Sequence, residues 1–287
     1  MNFRADRFAS LHIASPLIRA GGNRQRKVPI LMYHSVGKEE QSARSPYYQT
    51  SVSSERFLLQ MTFLHDRGYR TCSLSEAIAC LDKPAGGTDD KVVVITFDDG
   101  FADFYTLAFP ILNRFGLAAT MYLPTGFIAD TPMAFKTHNC MTWPQIRELQ
   151  KLGIEFGSHT VTHPQLRTLN RPEIESELTE SKKEIEDRTG CAAESFAYPY
   201  AFPQADAGFK RMLRECLESA GYSNGVCTIV GRADSSSDHF FLERLPLNDL
   251  DDDRLLEAKL CGAYDWVGSV QSFVKVVRSL PARCFGN

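Results

Sequence analysis

The sequence predicts an α/β fold built on parallel strands, and three observations carry that expectation. Short apolar runs of strand type alternate along the chain with longer segments of helical spacing. One of them, Val92–Ile95, is a continuous β-branched run, as expected of a parallel strand buried on both faces. Residues able to do chemistry directly follow four of the runs, and in parallel α/β folds the C-terminal strand ends converge on one face.

Residues 1–26 read as an irregular leader ending in the polar, basic stretch Gly21–Lys27. The strand candidates that follow are Val28–Tyr33, Val92–Phe97, Ala119–Leu123, Ile154–Gly157, Ser195–Tyr198, Gly225–Ile229 and Phe240–Leu245. Helix starts stand between them. Ser73 to Glu76 has the spacing of a capping box. Asn170, Pro172 and Glu173 offer a cap, a first-turn proline and an early acid, and Thr142 to Gln145 is a weaker version. Near the C-terminus, Ala263–Val277 has the apolar spacing of an amphipathic helix. Its polar face is not strongly basic, so packing on the domain is expected rather than membrane contact. No internal repeat or low-complexity tract interrupts the pattern.

At 287 residues with 43% hydrophobic and 23% charged residues, the chain has ordinary globular composition and apolar material for a sizeable core. A net charge of −3 and a pI near 6.2 give no reason to expect a nucleic-acid partner. The eight cysteines include no C-x-x-C pair and are widely scattered, so reduced, mostly buried thiols are expected instead of a zinc ribbon or disulfide framework. No apolar run approaches the roughly 18 residues of a membrane span. The short patch Leu11–Ile18 is interrupted by His12, Ser15 and Pro16 and makes a poor secretory signal, so a cytoplasmic location is expected. Nothing in the sequence sets an oligomeric state.

The four strand-end groups are His34, the pair Asp98–Asp99, His159, and Tyr200. Adjacent carboxylates on extended backbone point in different directions, so one can ligate a metal while the other faces a reacting water. Gly100 lets the chain turn sharply after them. Taken alone, D-D-G also reads as a solvated turn. In Ser158–Pro164, His159 and His163 stand four apart, which on a helical turn puts both on one face. Alone, they also read as satisfied loop histidines. Joined to Asp99 they form a two-histidine, one-carboxylate set with room for water, the pattern of an open catalytic metal site. Zinc is the default ion, and the set also suits other divalent ions, including iron. His12, His65 and His239 read as surface or helix residues, and His138 with Cys140 lacks partners for a second site.

These residues carry a resemblance. Thr96–Gly100 resembles the T-F-D-D-G motif of the polysaccharide deacetylase family (carbohydrate esterase family 4), and Ser158–His163 its S-H-T-x-x-H motif. Phe196–Tyr200 resembles the third motif. Leu31–His34 is similar to the opening strand of the branch that contains the poly-N-acetylglucosamine deacetylases. The similarity spans roughly residues 28–250. It implies a single-domain, distorted (β/α)-barrel of about seven parallel strands over residues 27–250, followed by a helical extension over 251–287. It further implies metal-dependent hydrolysis of N-acetyl groups on an acetylated amino sugar in a glycan. In that scheme Asp99, His159 and His163 bind a divalent ion, Asp98 is the general base, and the backbone N–H of Tyr200 helps hold the oxyanion.

Two departures stand out. The arginine that opens the third motif in many members is Ala197 here, and Arg244 is the candidate substitute, with a surface salt bridge as the alternative. No histidine follows His239, so the late family histidine that supplies the acid is absent. His34 stands where the poly-N-acetylglucosamine branch carries its own, either as acid to the leaving amine or as a group that orients Asp98 or a ligand. Three rival functions share parts of this pattern: hydrolysis of another small amide, a carbohydrate-binding protein without catalysis, and a non-haem iron oxygenase. Tyr33, Phe97, Phe101, Tyr198, Tyr200 and Trp143 are candidates for stacking on sugars, with core packing the commoner fate of such residues.

Overall fold

The structure, a computed structural model, describes residues 4–21, 26–37, 49–81 and 91–271. Seven strands follow from the apolar runs: β1 (Ile30–Tyr33), β2 (Val92–Phe97), β3 (Thr120–Leu123), β4 (Glu155–Ser158), β5 (Ser195–Ala197), β6 (Asn224–Val230) and β7 (Leu242–Pro246). All are parallel, each pairs with its neighbour in sequence, and β7 closes on β1 through Leu245 opposite Leu31. The result is a closed seven-stranded (β/α)-barrel. The strand Arg70–Thr71, which the sequence did not announce, pairs with the opening residues of β2. Ala118, entering β3, donates its N–H to the Thr71 hydroxyl. Closure is distorted there, because β2 pairs with β3 only at Thr96 and Phe97.

Every residue of β2 is buried, as expected from the β-branched run over Val92–Thr96. Apolar side chains removed from water in this way each contribute on the order of 1.5–3 kcal/mol. The outer layer includes α1 (Ser54–Asp66), α2 (Leu74–Leu81), α3 (Phe109–Phe115), α4 (Trp143–Lys151), α5 (Arg171–Thr189), α6 (Ala207–Ser219) and α7 (Asp253–Leu260). The helix starts read from the sequence are present. Ser73 and Glu76 exchange both capping-box hydrogen bonds, as do Asn170 and Glu173, while the Gln145 side chain accepts from the Thr142 N–H. Cys72, Cys80, Cys140, Cys216 and Cys227 are buried thiols, and Cys191 and Cys261 are exposed.

The irregular leader is a misreading for residues 5–21, which are helical over Ala5–Ala9, Ser10–Ala14 and Ser15–Gly21. Pro16 lies just beyond the π-helical segment Ser10–Ala14, where the regular i to i−4 ladder is already interrupted. The polar residues of this helix have tertiary partners, which sequence spacing does not reveal. Asp6 accepts from Arg4 and from the Tyr264 hydroxyl, Ser10 accepts from the Trp266 indole, and Arg7 forks onto Asp252. The amphipathic helix expected over 263–277 begins with turns, becomes helical at Trp266, and beyond Gln271 lies outside the described residues.

Candidate active site

The register of β1 against β2, Tyr33 opposite Phe97, sets His34 beside Asp98, whose N–H donates to the Tyr33 carbonyl. Asp99 then takes a left-handed φ of 74° and Gly100 one of 65°. The reversal turns the two carboxylates into different environments. A Cβ at Gly100 would stand 3.1 Å from the Ile128 side chain in a backbone region that favours glycine, so the residue suits the turn on both counts.

Asp98 is met by Arg244, which rises inside the barrel from β7. The fork is bidentate, 2.7 Å to each carboxylate oxygen, and Arg244 is only 1% exposed. Its remaining donors bind the Cys227 carbonyl and the Thr96 hydroxyl. A surface salt bridge is therefore not what Arg244 makes; it forms a buried ion pair with Asp98 in a chain that has Ala197 in place of the motif arginine. Burial pushes the Asp98 carboxyl up, but the Arg244 charge, with His159 and His34, brings it down to about 2. Burial in turn holds the His34 imidazole below its usual value, against the pull of Asp98 and Asp99; its Nε2 lies 3.9 Å from Asp98 Oδ2.

Asp99 faces the two histidines. Its Oδ1 lies 3.3 Å from His163 Nε2 and 3.8 Å from His159 Nε2, and one ligand atom from each of the three residues falls within 4.8 Å of the others. That Oδ1 is buried and has no hydrogen-bond partner among the described residues. His159 Nδ1 is 2.8 Å from the Ala197 carbonyl, which can only accept, so Nδ1 carries the proton and the Nε2 lone pair points inward. Burial drives the His159 imidazole down to about 3, so it is a neutral donor. An unpartnered buried carboxylate oxygen and a tautomer fixed to aim its lone pair at the same point fit a divalent ion. Among the described residues this is the only such cluster of three, and His138 and Cys140 do not join it.

The helical turn expected for His159 and His163 is not there. Thr160 and His163 have φ of 68° and 55°, and the segment is a loop. Two contacts close it: the His163 N–H donates to the Thr160 hydroxyl, and the Glu177 carboxylate of α5 accepts from the N–H groups of Val161 and Thr162. Tyr200, with φ of 58°, sets its ring 4.7 Å from that of His163 and is 49% exposed. The other aromatic candidates, Tyr33, Phe97, Phe101, Tyr198 and Trp143, are buried in the core. A cleft of about 440 Å³ opens beside Tyr200, with Arg167, Gln165 and Phe202 among its walls.

Lys136 escaped the sequence reading altogether, as did Glu177. The lysine stands at the tip of a hairpin formed by Ala134–Phe135 and His138–Asn139, and its ammonium lies 2.7 Å from Asp99 Oδ2. Its two-residue strands carry no periodicity, and nothing in the local sequence marks the contact.

Known proteins resemble this chain. The profile of the polysaccharide deacetylase family matches residues 85–224. The chain is 32% identical over 219 residues to the putative polysaccharide deacetylase YxkH of Bacillus subtilis, across 76% of this chain and 71% of that one. It is 31% identical over 140 residues to the poly-beta-1,6-N-acetyl-D-glucosamine N-deacetylase of Escherichia coli, a match covering 45% of this chain but only 20% of the relative. Among solved structures, the Streptococcus pyogenes deacetylase PplD in complex with acetate superposes with a TM-score of 0.68 at 26% identity, across 82% of this chain and 98% of that one. The chain belongs to the polysaccharide deacetylase family, and is accordingly a hydrolase of carbon–nitrogen bonds other than peptide bonds.

Proposed function

We propose that the protein is a metal-dependent deacetylase that removes N-acetyl groups from an acetylated amino sugar in a polysaccharide or glycan precursor. The observation that carries this reading is the convergence of Asp99, His159 and His163 beside a carboxylate that is held ionised. A divalent ion bound there, zinc by the nature of the donors, would polarise the acetamide carbonyl and acidify a water.

The chain's own residues do the rest. Asp98, with a pKa of about 2, accepts a proton only from a strongly acidified water, so its placement next to a metal-type donor set is chemically coherent. Arg244 holds that carboxylate in one orientation and keeps it charged. The backbone N–H of Tyr200 helps to hold the oxyanion as the amide carbon becomes tetrahedral. His34 then gives a proton to the departing amine, leaving acetate and a free amino sugar. The exposed Tyr200 ring beside the cleft offers a face for the sugar. The match to poly-N-acetylglucosamine deacetylases supports an N-acetylglucosamine-type unit.

The test is acetate release from N-acetylglucosamine oligomers, set beside ammonia release from small amides, with metal content measured on the same preparations. Asp99→Ala, His159→Ala and His163→Ala should each lose bound metal and activity together. Full metal occupancy in all three variants would sink the assignment.

A further inference from the structure

The site holds its metal-type donors unevenly, and the unevenness points to the hairpin over residues 134–139. His159 is fixed by a hydrogen bond from Nδ1 to a carbonyl, whereas His163 Nδ1 has no such partner among the described residues. What bounds the His163 ring is aromatic: the Phe135 ring meets it edge-on at 5.2 Å, and Tyr200 stands at 4.7 Å. Phe135 is itself stacked on Phe127 at 4.2 Å. Asp99 likewise depends on the hairpin. Lys136 takes Oδ2 at 2.7 Å, leaving only Oδ1 directed at the histidines. The ammonium is steadied over the Phe135 ring at 4.7 Å, and Lys136 has a left-handed φ of 55°, so its place at the hairpin tip is built into the backbone.

The hairpin is tied to the carboxylate turn it serves. Met141 donates its N–H to the Gly100 carbonyl, Phe101 bridges to Cys140, and the His138 ring lies 4.7 Å from that of Phe101. Hairpin and carboxylate turn thus form one body.

We propose that this hairpin is a positioning element of the metal centre, in which Lys136 restricts Asp99 to a single ligating oxygen and Phe135 sets the plane of His163. The inference rests on the reading of Asp99, His159 and His163 as the metal ligands. Its consequence is a restricted ligand count: with Oδ2 engaged, the carboxylate cannot chelate, and coordination positions stay open for water and substrate.

Cobalt(II) serves as the probe, because its visible absorption reports coordination number. Freed Oδ2 in Lys136→Met should chelate, weakening the cobalt absorption towards that of a higher-coordinate ion. Turnover should fall roughly 10-fold or more, the usual scale for losing a partner of a metal ligand. KM should stay within about 2-fold, since no substrate contact is removed. Lys136→Arg should restore the spectrum and most of the turnover. Phe135→Leu should weaken cobalt affinity roughly 10-fold in a chelator competition. Lys136 is an exposed turn residue, so its variants are expected to fold, and Phe135→Leu exchanges one buried apolar side chain for another. An unchanged cobalt spectrum in Lys136→Met overturns the proposal, as does a rise in KM alone, which would make Lys136 a substrate contact. Wild-type protein that binds no cobalt overturns the ligand assignment as well, which separates the two failures.

Discussion

Two regions of the molecule bury charge, and they do so differently. At the barrel mouth, Asp98 pairs with Arg244 and Asp99 with Lys136. Away from it, Asp251 and Lys259, 0% and 2% exposed, pair at 2.9 Å within a cluster that includes Arg4, Asp6 and Tyr264 and ties the N-terminal helix to α7. Burial and ion pairing are common to both. Backbone strain is not: Asp99, Lys136, Thr160, His163 and Tyr200, the non-glycine residues with left-handed φ among those described, all stand at the mouth. Such conformations cost on the order of 1–3 kcal/mol each and persist where surrounding structure enforces them. A buried ion pair is thus a poor marker of function by itself, whereas strain gathered around convergent donors is a good one.

Three single and two paired substitutions would break or sharpen that contrast. The largest effect on stability is expected for Arg244→Ala, which strands Asp98 as a buried, uncompensated carboxylate. A loss of about 3–5 kcal/mol, read from urea unfolding, is the usual cost. A change under about 1 kcal/mol would show that Asp98 does not depend on its arginine.

Asp98→Asn keeps the shape of the site and should keep the metal, while hydrolysis falls by roughly 10² or more. Release of metal from Asp98→Asn but not from Asp99→Asn would exchange the roles of the two carboxylates.

His34→Ala should retain metal and substrate binding while turnover drops by a smaller factor. A proton donor works only while protonated, so wild-type activity should fall as pH rises through the His34 pKa, which burial sets below the ordinary histidine value. That alkaline limb should shift or vanish in the variant. Its survival, with only affinity weakened, would leave His34 as an orienting group for Asp98.

The smallest effect is expected in the other cluster. Replacing both partners, Asp251→Asn with Lys259→Met, exchanges an ion pair for groups of similar size and should change stability by no more than about 1–2 kcal/mol, with turnover intact. The matching double change Asp98→Asn with Arg244→Met should fold and yet fail to turn over. Equal loss of activity in both pairs would remove the distinction.

Much of this was legible in the chain. Apolar runs define strands because a parallel barrel buries both faces of each, and β2 is buried at every position. His34, Asp98, Asp99 and His159 could be read as a group because each directly follows such a run. The histidine pair was found by spacing for the wrong reason: two left-handed residues and the Glu177 clamp make a loop do what a helix was expected to do. Arg244 lies within a strand and reaches Asp98 through the barrel interior, a contact that placement along the chain can suggest but not demonstrate. Lys136 and the N-terminal helix depend on tertiary partners alone, so composition and periodicity could not single them out.

The seam between β7 and β1 has a consequence for how the protein acquires its activity. It joins segments from opposite ends of the barrel sequence, with Leu245 and Pro246 registered against Leu31 and Met32. Contacts between such distant segments carry the largest loop-closure entropy and tend to form late in folding. Arg244 stands on one side of that seam and His34 on the other, with Asp98 on the strand next to β1. Pairing of β1 with β2 already sets His34 beside Asp98, but Arg244 joins them only when the ring is complete. A chain stalled one strand short of closure would retain His159 and His163 but have no ordered Asp98–Arg244 fork, so the proposed catalytic set is incomplete until the fold is finished.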